Sequence, residues 1–315
     1  MIMSINTILS ASEKQMRRQQ LFDLLGDLPD IKEKPAGKTL FIEEKDTYIL
    51  EKLVLDLNGI EHVPAFLVKP KGKAGKLPVI LFNHSHGGYY YMGKNELLRN
   101  DHPYLCSPCY AQQLTDLGFC ALCIDHWGFG ERQGRKESEI FKEMLWKGQV
   151  MWGMMVYDSI RAIDYLMTRP DVDTERLGTL GISMGSNMSW WIAALDERIK
   201  FCVDICCLTE FHKFLESRCL DEHSFYYYVP KLLKYFTTAQ INALIAPRPH
   251  LSLAGNFDRL TPAAGLDIVD EELKKVYEAE GAKDNWKLLR YNTGHFETTA
   301  MRYEIVTFLK KWLQP

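Results

Sequence analysis

The residues best suited to chemistry are Gly181-Ile182-Ser183-Met184-Gly185, a serine with a glycine two positions away on each side. With glycine near 7% of residues, roughly one chain in ten of this length carries such a string by chance, so its context has to carry the reading. An apolar run at 177–182 precedes it and an amphipathic pattern at 184–195 follows. A serine on a sharp strand-to-helix turn is a nucleophile elbow, and its strained backbone leaves room only for tiny neighbours. The following helix N-terminus would place free amides and partial positive charge beside the hydroxyl. The bland alternative is a Gly/Ser-rich turn without chemistry.

A serine hydroxyl needs an oriented base, and in an elbow architecture the acid and then the histidine follow the serine in the chain. Of His212, His223, His250 and His295, the last lies in a polar, glycine-containing loop between a late strand and the final helix. His250 opens a strand and reads as structural; His212 and His223 fall in an irregular insertion. The acid should follow a strand between serine and base, which selects Asp258, just beyond Ala254-Gly255. An oxyanion needs backbone donors: Met184, the residue after the serine, and Gly87 or Gly88 in the loop His84-Ser85-His86-Gly87-Gly88. His84-x-His86 lacks the Asp and further His that a binuclear metal site requires. No metal and no cofactor are expected. Two cysteine pairs, Cys106/Cys109 and Cys120/Cys123, have metal-ligand spacing. The second lies in an apolar strand, where residues three apart point to opposite faces and cannot share an ion. Thiols are expected throughout, mostly as small core residues.

These residues need elements to position them. A capping-box signature, Ser10…Glu13, opens a helical pattern to residue 25. Stretches 48–57 and 61–69 flank Asn58-Gly59 and read as a hairpin. Thereafter apolar runs at 77–83, 119–125, 177–182, 201–206, 250–254 and 286–291 alternate with helical patterns near 109–117, 137–167, 184–195, 262–280 and 298–312. Strand–helix alternation implies a mostly parallel central sheet with helices on both faces. Residues 208–246 interrupt the rhythm and are rich in aromatic rings. They are expected to form a helical cap over the strand ends, with Tyr226, Tyr227 and Tyr228 walling a substrate pocket; the alternative is that these rings only pack the insertion onto the domain. The domain reading is an N-terminal helical extension over 1–47 and one α/β domain over 48–315. With 315 residues, 46% apolar and 25% charged, the chain can bury a large core. A net charge of −3 offers no footprint for nucleic acid or an anionic membrane, and no apolar run is long enough to span one. The opening residues lack a signal-peptide pattern, so a cytoplasmic protein is expected, with homo-oligomerisation left open.

Taken together, His86-Gly87-Gly88, Asp125-His126-Trp127-Gly128-Phe129-Gly130-Glu131-Arg132, the elbow, Ala246-Pro247-Arg248-Pro249, Gly255…Asp258…Pro262 and Gly294-His295 resemble the α/β-hydrolase superfamily. The resemblance is to its dienelactone-hydrolase and acetyl-xylan-esterase-like branch and covers about residues 48–313. It implies a Ser183–Asp258–His295 triad and hydrolysis of a small, short-acyl (acetyl-type) ester through an acyl-enzyme. Trp127 joins the expected pocket wall, and Glu131 with Arg132 is read as an ion pair. Serine rather than cysteine at the elbow argues against dienelactone hydrolysis itself. Two further readings are a prolyl-oligopeptidase-type peptidase, which would need a large β-propeller ahead of the domain, and a non-catalytic binding protein, which would be expected to have lost a triad residue.

Overall fold

The computed structural model describes residues 9–218 and 220–312. Helix α1 (Ala11–Asp23) begins at the Ser10/Glu13 capping box and is followed by strands β1 (Ala36–Glu44), β2 (Tyr48–Asp56), β3 (Val63–Pro70) and β4 (Leu77–Asn83). Then come α2 (Tyr110–Leu117), β5 (Cys120–Ile124), α3 (Glu137–Trp146), α4 (Met151–Thr168), β6 (Val172–Ile182), α5 (Met184–Leu195) and β7 (Phe201–Ile205). The insertion holds α6 (Phe211–Ser217), α7 (Leu232–Tyr235) and α8 (Thr238–Ala243). The chain continues with β8 (His250–Gly255), α9 (Ala263–Ala279), β9 (Trp286–Tyr291) and α10 (Thr299–Lys310).

Nine strands among the described residues form one sheet in the order β1-β2-β3-β5-β4-β6-β7-β8-β9. The first three pairings are antiparallel and the rest parallel. The parallel strands are apolar on both faces because helices cover both. Side chains such as Leu81, Leu122 and Leu177 pack under α1, α4, α5 and α9. Ile80, Ala121, Leu180 and Val203 pack under α2 and α10. Cys120 and Cys123 fall into these two separate cores, on opposite faces of β5. The described cysteines are free thiols; Cys219 lies outside the described residues.

Three expectations change. Strand β1, inside the expected helical extension, adds a ninth strand at the sheet edge. All nine of its residues are exposed, so no buried/exposed alternation marked it. The hairpin is real, but its ladder closes at Leu55↔Val63, so Asn58-Gly59 sits in a longer loop. There the Asn58 Oδ1 accepts the N–H groups of Ile60 and Glu61, while its Nδ2 donates to buried Asp158 at 2.7 Å. The single helix read over 137–167 is two, α3 and α4. Gly148, at φ +73°, turns the chain between them, and Gln149 there bridges to Gly26.

The carboxyl ends of β4, β6, β7 and β8 share one edge of the sheet, where open α/β sheets place their ligands. Among the described residues no helix is long and apolar enough to cross a membrane.

Candidate active site

Ser183 sits between β6 and α5 with φ +60° and ψ −121°, a conformation costing about 1–3 kcal/mol for a non-glycine residue. The surroundings over-determine it. Its N–H donates to Ile205 O at the end of β7 (2.9 Å), and its C=O accepts from Asn187 N–H (3.1 Å). Both flanking glycines are sterically required. A Cβ on Gly185 would lie 1.9 Å from Asn83 O, and one on Gly181 2.5 Å from the same oxygen. The Ser183 hydroxyl makes no capping bond and faces a cavity of about 750 Å³.

His295 lines the same cavity, in the loop after β9. Asp258, in the loop after β8, lies 2.7 Å from His295 Nδ1 through Oδ2, while its Oδ1 accepts Leu260 N–H at 2.9 Å. Gly255 lets the two loops meet, since a Cβ there would stand 2.4 Å from Gly294 O. The carboxylate is fully buried and the imidazole largely so. His295 Nε2, on the side away from Asp258, is buried without a hydrogen-bond partner among the described residues. A second clasp holds this loop. Glu297 accepts two bonds from Arg302 (2.7 Å each), one from Tyr110 OH (2.6 Å) and one from Cys106 N–H (2.9 Å).

The loop after β4 forms another wall. Ser85 N–H donates to both oxygens of buried Glu96 (3.0 Å each), and His102 Nε2 lies 3.1 Å from that carboxylate. Beyond it, residues 86–89 turn tightly with Gly87 at φ +52° and Gly88 at φ +76°, closed by Tyr89 N–H to His86 O. Gly88 N–H donates to His86 Nδ1 at 3.1 Å. Gly88's amide is therefore engaged, whereas those of His86 and Gly87 have no acceptor among the described residues. Met184 N–H opens α5 and is likewise free of an intrahelical acceptor.

The insertion covers the cavity with Leu220, Asp221, Glu222, His223, Ser224 and Phe225, followed by Tyr226 and Tyr228. Tyr227 turns away and packs against Phe211, Phe214 and His223. Trp127 does not reach the cavity either, because it lies under the Arg132 guanidinium, 4.5 Å from the ring centre. Glu131 and Arg132 do not pair with each other. Glu131 meets Lys94 (2.6 Å) and Lys52 (3.0 Å), and Arg132 meets Glu61 and Asp158.

Tyr104 and Cys207, which the sequence did not single out, also border the cavity, as do His223, weighed only as a base, and the ring of His86, weighed only as a metal ligand. Burial, and then the neighbouring His295, push the His223 imidazole below the usual histidine range; burial pushes the Cys207 thiol up. His250, read as structural, is buried with its Nε2 2.6 Å from Asp204 Oδ2. With Cys202 these groups come within ligand distance of one another, but the imidazole–carboxylate contact has hydrogen-bond length.

A model of the acetyl xylan esterase family (AXE1) matches residues 36–245, two thirds of the chain. The chain belongs to this family. The family's activity is carboxylic-ester hydrolysis, and the matched stretch runs from β1 to the end of the insertion, with Ser183 inside it. This AXE1-family chain is 55% identical over 298 residues to YtaP of Bacillus subtilis (strain 168), a protein named as a candidate hydrolase. The alignment covers 94% of the chain and 99% of that protein. In structure it is similar to a glucuronoyl esterase from Solibacter usitatus (TM-score 0.71, 15% identity, 99% of this chain and 97% of that one). It is also similar to the acetyl xylan esterase from Paenibacillus sp. R4 (TM-score 0.67, 18% identity, 99% and 96%). At such identities the likeness is one of fold, the α/β-hydrolase fold.

Proposed function

We propose that this AXE1-family protein is a serine esterase that works through an acyl-enzyme on small, short-acyl esters. The observation that carries the reading is the polarity of His295: Nδ1 is held by Asp258, while Nε2 is unbonded on the cavity that Ser183 lines. With its proton on Nδ1, the imidazole presents a lone pair to the serine hydroxyl. Ser183 Oγ attacks the ester carbonyl as His295 Nε2 takes its proton. The carbonyl oxygen becomes an oxyanion, for which Met184 N–H and the free amides of His86 and Gly87 are the proposed donors. His295 returns the proton to the leaving alcohol, then activates water to release the acid by the reverse steps.

The lining supports a neutral alcohol partner. It contains Asp221 and Glu222 but neither lysine nor arginine, and sets Phe225, Tyr226 and Tyr228 beside them. Rings and carboxylate acceptors suit a polyhydroxylated sugar; an anionic substrate would meet like charge. The short-acyl part of the proposal rests on the rings of Phe225, Tyr226 and Tyr228, which line the same cavity as Ser183. The test compares kcat/KM for aryl acetate, butyrate and octanoate, and for acetylated neutral and uronate sugars. Acetate and the neutral sugar should lead. A preference for octanoate or for the uronate would refute the substrate reading.

A further inference from the structure

Glu137, the first residue of α3, is 5% exposed, yet no lysine or arginine pairs with it. Its carboxylate instead collects hydrogen-bond donors from two segments that both line the cavity. From the loop after β4, Tyr90 OH donates to Oε2 at 2.7 Å, and His86 Nε2 lies 3.5 Å from the same oxygen. From the insertion, the Ser224 hydroxyl donates to Oε2 and Tyr226 N–H donates to Oε1 at 3.1 Å. Burial raises the carboxyl's proton affinity, but the bonds from His86, Ser224 and Tyr90 outweigh it and hold the group ionised.

An ionised carboxylate only accepts, so each partner must present a hydrogen to it. For His86 this places the proton on Nε2 and leaves Nδ1 as an acceptor, the role Gly88 N–H finds filled at 3.1 Å. That bond draws the Gly88 amide to the imidazole and fixes the turn in which the His86 and Gly87 amides stay free. The His86 ring is also sandwiched: Tyr226 of the insertion stacks on it at 5.5 Å, and Phe129 meets it edge-on at 5.1 Å.

We infer that Glu137 is a positioning residue that couples seating of the cap to assembly of the oxyanion hole, through the tautomer of His86 and the turn at Gly87-Gly88. The inference rests on the serine-esterase reading above. Without the carboxylate, His86 is free to take its other tautomer, whose Nδ1–H would repel the Gly88 N–H and loosen the turn.

Glu137→Gln tests this. An amide offers one accepting oxygen. If it keeps Tyr226 N–H, its NH₂ takes the place of Oε2, where the Tyr90 and Ser224 hydroxyls can turn to accept but His86 Nε2 can do so only by giving up its proton. The expected result is a kcat about 10- to 100-fold lower, a fraction of the roughly 10²–10³ attached to a whole oxyanion donor, with KM changed less than threefold. A trifluoromethyl ketone, which binds as a hemiketal oxyanion, should lose affinity in the same proportion as kcat/KM. A clasp that only holds the fold together would lower the melting temperature and leave both quantities alone. Because the effect passes through His86, Glu137→Gln combined with His86→Gln should be no slower than the slower single variant. Ser224→Ala and Tyr90→Phe each remove one donor and keep the rest, so they serve if Glu137→Gln does not fold. Each should lower kcat three- to tenfold at unchanged KM. Wild-type kcat and inhibitor affinity in Glu137→Gln, or wild-type kcat in both milder variants, would overturn the inference. A wild-type enzyme that neither cleaves esters nor binds the ketone would instead overturn the esterase reading beneath it.

Discussion

Replacing Asp258 by Asn changes one atom and should nearly silence the enzyme. The carboxylate has two fixed duties, Oδ1 accepting Leu260 N–H at 2.9 Å and Oδ2 meeting His295 Nδ1 at 2.7 Å. An asparagine can keep only one of them with its single oxygen. Leu260 N–H cannot turn, so the oxygen stays there and the amide NH₂ faces His295 Nδ1. The imidazole must then accept at Nδ1 and carry its proton on Nε2, the nitrogen that has to receive the Ser183 proton. The wrong tautomer costs about 10⁴ in kcat in a triad of this kind, about 5.4 kcal/mol at 1.36 kcal/mol per tenfold. Steady-state hydrolysis of an aryl acetate gives kcat and KM, and a melting curve reports the fold. The expectation is kcat down about 10⁴, KM within threefold and a melting temperature within a few degrees. A folded variant with kcat within tenfold of wild type would show that Asp258 does not set the His295 tautomer.

Gly185→Ala puts a methyl 1.9 Å from Asn83 O, where backbone on both sides must give. It should cost about 3 kcal/mol or more, read by urea unfolding, and abolish turnover even where it folds. Glu297→Gln leaves the Arg302 guanidinium buried without its counter-charge. It should destabilise by about 3–5 kcal/mol and lower the melting temperature accordingly. His84 and His126 are buried, and burial depresses both imidazoles, His126 well below its usual range. The unfolded chain therefore binds protons the folded one refuses, so stability is held above about pH 6.5 and lost as pH falls below it. Each such group contributes a slope of about 1.4 kcal/mol per pH unit in that window. His126→Leu should remove one group's share of the slope in urea unfolding at pH 7.5, 6.5 and 5.5, and an unchanged slope would count against burial as its origin.

The proposed triad was legible because each member stands at a punctuation mark in the chain. Ser183 sits between two glycines at a strand–helix boundary, and Asp258 and His295 stand in polar loops just past strand ends. The strands of the core were legible for a related reason: buried on both faces, they read as short apolar runs. Strand β1 had no such mark, since every residue in it is exposed. The break between α3 and α4 was hidden because apolar spacing continues through it, while the turn depends on Gly148 and on Gln149 meeting Gly26, distant in sequence. Glu137 was least visible of all. An acidic residue opening a helix reads as a solvated charge favoured by the dipole. Its role depends on partners 47 to 89 positions away that only the fold brings together.

The most direct test of the account is to react the protein with a fluorophosphonate and locate the adduct by peptide mass spectrometry. One phosphonate per chain is expected, on Ser183, with esterase activity lost in proportion to labelling and neither label nor activity in Ser183→Ala. Activity that survives full labelling of Ser183, or a Ser183→Ala variant that turns over esters at a rate near wild type, would contradict it.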